Sequence, residues 1–372
     1  MVSRPWLRWL VPLAAVLAVV ATTLVAGSAS ADEKLPPRSA EQLLVDLQQA
    51  QPAGFSGTVQ QSADLGIPAL PGMGEQGSDF SSLISGTHTL RVAYAGPDKS
   101  KVALLGELSE SSVIRDGSDV WTWSSSDNAV THATIDASDR AAKTDGAEKD
   151  GAPADAPKTP QETAARLLAA VGPTTQVSVA TDTTVAGRAA YELVLTPKQT
   201  GSLLSSVRIA VDGSEHVALR VQVFGGDRAE PVAKIGFTEV DFATPHASVF
   251  AFTPPKGAEV TEVTPEDHAS TDGEDADAHE AVEPTVVGEG WTTVVVGALP
   301  KSDLPDAKPD EQGGEPGEGP DLQAYLAQLP EVSGSWGSGR LLAGTAFSVV
   351  ITDDGRVAAG AVGPELLYDA LG

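Results

Sequence analysis

Between residues 85 and 254, apolar side chains recur at every second position in short runs, and the runs are broken by turn signals such as Gly96-Pro97-Asp98 and Asp116-Gly117. A period of two sends alternate side chains to opposite faces of an extended strand, so the pattern commits this region to antiparallel strands. The runs are GTHTLRVAY, KVALLGELSE, SVIRDG, VWTWSS and AVTHATI, then QVSVATDTTV, GRAAYELVLTP, VRIAVDG, HVALRVQVF and VAKIGFTEVDF. Leu90, Val92 and Tyr94 share a face; so do Val102, Leu104 and Leu108, and so do Tyr191, Leu193 and Leu195. About ten twisted strands do not stay flat, and such a sheet curls or closes on itself.

Only two segments of this region read as strong helices. Ser39 and Gln42 have the spacing of a capping box ahead of Leu43, Leu44 and Leu47. Thr159-Pro160-Gln161-Glu162 combines an N-cap, a proline at the first helical position and an N3 glutamate, before a stripe of Ala164, Leu167, Leu168 and Val171 that ends at Gly172-Pro173. An apolar sheet face must be covered, and two helices of about three turns are too small for so long a curve. Part of the concave face is therefore expected to hold a ligand. Trp121 and Trp123 lie two apart on one strand and share a face, and their expected place is the wall of that cavity. Leu90, Val92, Leu104, Tyr191, Leu193, Leu195 and Val221 are the other candidate lining residues, although a self-packed core gives the same alternation.

The ends and interruptions of the chain bound its class. Arg4 and Arg8 precede an uncharged run from Trp9 to Gly27, and Ala29-Ser30-Ala31 supplies a small-residue cleavage site, so residues 1–31 read as a signal peptide. The alternative is an uncleaved membrane anchor. Either reading makes the protein extracytoplasmic. There is no cysteine, hence no disulfide framework and no lipid-bearing cysteine after the leader. Removing Arg4 and Arg8 leaves 22 basic against 51 acidic residues and a net charge of −29, a field that repels nucleic acid. Residues 136–158, 263–283 and 301–320 are rich in Ala, Gly, Pro, Asp and Glu and read as solvated linkers or insertions. They divide the chain into a domain at 38–260, an acidic linker at 261–285 and a small α+β domain at 286–372. In the latter, VVGEGWTTVVVGAL predicts a strand, residues 321–329 a helix, Asp354-Gly355 a hairpin and Pro364-ELLYDAL a final helix.

Catalytic chemistry finds no footing in the sequence. His88, His132, His216, His246, His268 and His279 include no pair with zinc-motif spacing, and no G-x-S-x-G elbow, P-loop, G-x-G-x-x-G turn or H-E-x-x-H helix occurs. GFSG at 54–57 is better read as the entry to a first strand running from Phe55 to Gln61. DGEDADAHE at 272–280 lacks the ligand pattern of an EF-hand loop. The expectation is a protein that is no enzyme and holds no cofactor or metal.

The order of these parts resembles a known family. An export signal, a helix, strands ending in DGxxVWxW, a second helix, then GRAAYELVLTP, VRIAVDG, VALRVQV and FAFTPPKGAEV are similar to the LolA/LolB/RseB superfamily, and more closely to LolA-like secreted proteins of high-GC Gram-positive bacteria. The similarity spans roughly 38–260, with FSGTV at 55–59 and HTLRVAYAGPDKSKVALL at 88–105 among its specific parts. It implies an α+β fold, an unclosed antiparallel β half-barrel capped by helices around an apolar cavity. It also implies a non-catalytic carrier that binds a lipid or lipoprotein acyl chain. The small C-terminal domain resembles that of RseB/MucB sensors, which implies an alternative: an envelope-stress sensor that binds a membrane-anchored regulator such as an anti-sigma factor, or a transporter. The family's cavity-gating arginine has its nearest counterpart in Arg91, on the strand face opposite Leu90 and Val92.

Overall fold

A computed structural model describes residues 35–66, 80–135, 159–169, 172–263, 284–298, 326 and 328–372. The leader, the stretches 136–158, 264–283 and 301–320, and all but Leu326, Gln328 and Leu329 of the 321–329 helix lie outside the described residues.

The first sheet is built from β1 (Phe55–Ala63), β2 (Gly86–Tyr94), β3 (Lys99–Leu105), β4 (Glu110–Asp116), β5 (Asp119–Ser124) and β6 (Ala129–Thr134). Its second half comprises β7 (Thr175–Val179), β8 (Thr183–Val185), β9 (Arg188–Pro197), β10 (Leu204–Asp212), β11 (Ala218–Gly225) and β12 (Ala233–Asp241), with β13 (Glu259–Val263) last in sequence. These form one 13-stranded sheet in the order β13-β6-β5-β4-β3-β2-β1-β12-β11-β10-β9-β7, with β8 also on β9. The two ends of that order do not pair, so the sheet is an unclosed half-barrel. All pairings are antiparallel except β13 with β6, which is parallel. The β1–β12 seam joins the halves through a bulge at Thr58/Val59. Gly57 sits beside it because a Cβ there would lie 2.3 Å from the Glu239 carbonyl oxygen. Tight turns join β2 to β3, β4 to β5 and β5 to β6, with Gly117 at φ +71° between β4 and β5. The expected single run KVALLGELSE is instead two strands: Ser109 C=O accepts from Gly106 N–H at 2.8 Å, and Leu108 stands fully exposed at the turn, away from the face of Val102 and Leu104.

Two helices cap the concave face. In α1 (Ala40–Gln49) the capping box forms, with Gln42 N–H donating to Ser39 Oγ and Ser39 N–H to Gln42 Oε1 at 3.0 Å. In α2 (Pro160–Ala169) Glu162 N–H donates to Thr159 Oγ1 at 3.1 Å. Gln161 ties α2 to its surroundings: its Oε1 accepts from Ala218 N–H at 2.6 Å and its Nε2 donates to Leu47 C=O at 3.1 Å. Asp212, 1% exposed, closes the β10–β11 turn by accepting from Ser214 N–H, Glu215 N–H and the Arg188 guanidinium.

The second sheet runs β14 (Thr285–Val287), β15 (Val294–Ala298), β19 (Arg356–Gly360), β18 (Ser348–Thr352), β17 (Gly337–Ala343), β16 (Glu331–Gly334). The segment expected as one strand is the β14–β15 hairpin. One face of this sheet packs Val294, Val350 and Ala358 under α3 (Pro364–Leu371), whose Leu367 and Leu371 are buried. Arg356 Nη1 donates to Leu371 C=O at 2.8 Å and Nη2 to Trp336 C=O at 2.7 Å, a cation placed on the carbonyl end of α3.

Candidate functional site

The strand registers decide which side chains share the concave face. Val59 pairs with Leu90 and Leu90 with Leu104; across the seam, Ile235 pairs with Val221, Val221 with Ile209 and Ile209 with Leu193. Opposite residues in a ladder point the same way, so these form one continuous apolar wall. Leu43 and Leu47 of α1, Ala164 of α2 and Leu83 of the 3-10 turn Phe80–Ile84 join the same cluster. Seven of the nine candidate residues are brought together here. Leu90, Val92, Leu104, Tyr191, Leu193, Leu195 and Val221 are all buried, at 4% exposure or less. Tyr191 Oη also donates to Pro36 C=O at 2.7 Å, so the segment ahead of α1 is fastened over this wall. Most of the wall is covered by the protein's own side chains.

A hollow of about 190 Å³ is left under β1, β11 and β12, lined by Gln61, Leu83, Thr163, Val221, Val223 and Ile235 among others. Val221 is the one candidate residue in that lining. The volume is near that of a dry engineered cavity of about 150 Å³ that admits benzene. Gln61, which sequence reasoning missed, is its polar feature. Its Nε2 donates to Leu83 C=O at 2.8 Å, while its buried Oε1 has no partner among the described residues. A polar residue at an inward position of an otherwise apolar strand was the available signal.

Trp121 and Trp123 are elsewhere. Leu104 pairs with Ser111 and Val102 with Val113, so the inward residues of β4 are Ser111 and Val113, and those of β5 are Thr122 and Ser124. The two indoles therefore share the outer face with Ile114, Ser112, His132 and Val130. This corrects their expected position on the concave wall. The outer face is apolar here because the chain after β12 returns across it: the Phe252 ring lies 5.5 Å from Trp121 and 6.4 Å from Trp123, and Phe250 is fully buried. β13 then adds to β6. His132 stacks on Trp121 at 3.8 Å, with Nδ1 2.7 Å from Glu262 of β13 and Nε2 2.9 Å from Asp119 of β5. Burial works against a charged His132, but hydrogen bonds to Asp119 and Glu262 outweigh it and raise its pKa above the usual 6.5. Among the described residues no group of three or more His, Cys, Asp or Glu is arranged to hold a metal ion.

The C-terminal sheet is fastened to the end of the half-barrel. Thr345 N–H donates to Leu65 C=O at 2.8 Å and its Oγ1 to Asp64 C=O at 3.2 Å, just past the end of β1. Leu203 N–H donates to Ala361 C=O at 2.8 Å, and Trp291 Nε1 to Thr175 Oγ1 at 2.7 Å on the edge strand β7. None of these contacts carries a sequence signal, since each joins residues more than 100 positions apart.

No protein-family model matches the chain, and no curated protein does. Solved structures are similar to it. The complex of Pseudomonas aeruginosa MucA/MucB is 13% identical, with a TM-score of 0.45 over 89% of this chain and 96% of that one. An uncharacterized conserved protein from Thermus thermophilus is 11% identical, with a TM-score of 0.34 over 60% of this chain and 99% of that one. A LolA superfamily protein from Nitrosomonas europaea is 11% identical, with a TM-score of 0.21 over 58% of this chain and 99% of that one. At such identities and TM-scores the likeness concerns the general fold and says nothing of ligand or partner.

Proposed function

We propose that this chain is an extracytoplasmic, non-catalytic sensor in which an apolar group enters the hollow of the half-barrel and the C-terminal sheet engages a membrane-anchored regulatory protein. The observation that carries the reading is a shared set of strands. Gln61, Val221, Val223 and Ile235 line the hollow from β1, β11 and β12. The same strands run to the contact with the C-terminal sheet: β1 leads to Asp64 and Leu65, which hold Thr345, and β11 ends at Gly225, against the Thr345 carbonyl. Prying β11 from β12 displaces the support of the second sheet, and a ligand shifts that equilibrium by its preference for the opened form. The partner face is the outer side of the β14–β15 hairpin. Val286 and Val295 are register partners there, 62% and 42% exposed, which supports contact with another protein.

The acyl-chain carrier is the second reading, favoured by the helical lid over an apolar wall. It requires α1 and α2 to swing away, because about 190 Å³ holds a ring or a short stretch of chain and not a whole acyl tail. Affinity capture from native membranes with the exported chain, compared with a Val286→Glu/Val295→Glu variant, separates the two, with organic extracts of both analysed by mass spectrometry. The sensor predicts a membrane protein captured by the parent chain and lost from the variant. Stoichiometric lipid in both extracts with no captured protein would establish the carrier instead.

A further inference from the structure

A second and larger hollow, of about 380 Å³, lies on the outer face of β1, β2 and β3, beside the returning chain at Val249. Its floor is made by small residues, Gly57, Ala93 and Ala103, and Val249, 40% exposed, forms an apolar lip. Arg91 and Lys101 rise from that floor. Arg91 is flanked in register by Thr58 and Ala103, and Lys101 by Ala93 and Ile114, which makes the two residues diagonal neighbours on one face, their backbone positions about 7 Å apart.

Their lack of partners sets them apart. Arg38, Arg115, Arg188, Arg208, Arg220, Arg228, Arg340 and Arg356 each lie within 4 Å of a carboxylate. Among the arginines whose side chains are described, Arg91 alone has no such ion pair, and Lys101 has none either, in a chain with 51 acidic residues. The lining contains one carboxylate, Glu110, against these two cations. Glu239 and Asp241, the register partners of Thr58 and Ser56, lie on the neighbouring strand β12 and not in this lining.

We infer that this outer hollow binds a small organic monocarboxylate with an aliphatic tail, its carboxylate held by Arg91 and Lys101 and its tail laid over Ala93 and Ala103 toward Val249. The planar guanidinium matches a carboxylate with two parallel hydrogen bonds, and the nearby ammonium adds a second charge. The hydroxyls of Ser56 and Thr58 line the same hollow. Glu110, the one carboxylate of the lining, offsets one of the two positive charges, which leaves a net charge matched to a monoanion and disfavours the dianion of a phosphate. The site is on the face opposite the concave hollow and does not depend on the sensor reading.

Titration calorimetry of the exported chain with sodium octanoate tests this, with 1-octanol and inorganic phosphate as comparison probes and amide shifts read by NMR. The expected result is saturable octanoate binding that weakens about tenfold in Arg91→Gln and again in Lys101→Gln, and that falls with added salt. Shifts should centre on Thr58, Ala93 and Ala103, and neither octanol nor phosphate should titrate. Both variants alter side chains without ion-pair partners, and circular dichroism checks that they stay folded. Octanoate binding of equal strength in the Arg91→Gln/Lys101→Gln variant would overturn the assignment, as would shifts centred on Gln61, Val223 and Ile235, or octanol binding as tightly as octanoate.

Discussion

Gly225→Ala is the sharpest perturbation of the coupling between the two sheets. A Cβ at this position would lie 2.7 Å from the Thr345 carbonyl oxygen and 3.2 Å from Val232 Cγ1. Gly225 is held in the ladder opposite Leu204, so the Thr345 turn is the part that must yield. Its retreat weakens two hydrogen bonds, Thr345 N–H to Leu65 at 2.8 Å and Thr345 Oγ1 to Asp64 at 3.2 Å. At about 1 kcal/mol net for each, the loss is about 2 kcal/mol, or roughly 30-fold in the local opening equilibrium. Replacing glycine also restricts the unfolded chain, worth about 0.4–1 kcal/mol in the other direction, but that acts on global unfolding and not on local opening. Native-state hydrogen exchange measures the effect at the Thr345 amide, with the Ala180 amide, bonded to Glu192 at the far edge of the first sheet, as internal reference. Thr345 should exchange roughly 30-fold faster while Ala180 changes by less than about threefold, and capture of the proposed membrane partner should fall in step. If Thr345 keeps its protection in a folded Gly225→Ala protein, the turn is not where the sheets are coupled, and the proposed route from hollow to partner fails.

Two further predictions concern charge. Asp212→Asn should cost about 3 kcal/mol in urea unfolding at neutral pH, because it leaves the half-buried Arg188 facing an amide and weakens the acceptor of two backbone N–H groups. Burial alone would raise the Asp212 pKa, but Arg188 and those N–H groups outweigh it and lower it, so this stabilisation is present above the unfolded value of 3.8 and disappears as pH falls through the folded value. A variant as stable as the parent near neutral pH would refute the assigned role of the pair. His132 has the opposite sign: its raised folded pKa gives a contribution that is complete below 6.5 and lost as pH rises through the folded value. The stability gap between the parent chain and His132→Gln should therefore be wider at about pH 5.5 than at about pH 9, and an equal gap at both would exclude a charged clamp.

How far the chain could be read without coordinates differed by kind of signal. Ser39 with Gln42, and Thr159 with Pro160, announced both capping helices because a cap is a local arrangement of a few residues. Strand existence was equally legible, since alternation is a property of each run alone. Facing was not. In β4 both Val113 and Ile114 are apolar, and in β5 the tryptophans alternate with Thr122, so periodicity identifies two faces without saying which looks inward. That choice was made by Phe250 and Phe252, which lie more than 120 positions beyond Trp123 and give the outer face its own cover. Arg91 was correctly placed opposite Leu90 and Val92, but the hollow around it depends on the return of Val249, which no local pattern encodes. A hollow on the concave face was expected, but its lining was not: the seven expected residues on that face are buried, only Val221 among them lines the hollow, and Gln61 was missed.

The return of the chain over the tryptophans has a consequence in time. A polypeptide emerges from its amino end, and β3 to β6 are complete more than 110 residues before the Phe250 segment that covers them. The central seam likewise waits, since β1 meets β12 only after some 170 intervening residues have emerged. For that interval two indoles and a row of unpaired edge amides face water, so nascent intermediates carry a sticky surface that the finished molecule hides, and assembly is slow in proportion to the separation of its contacts.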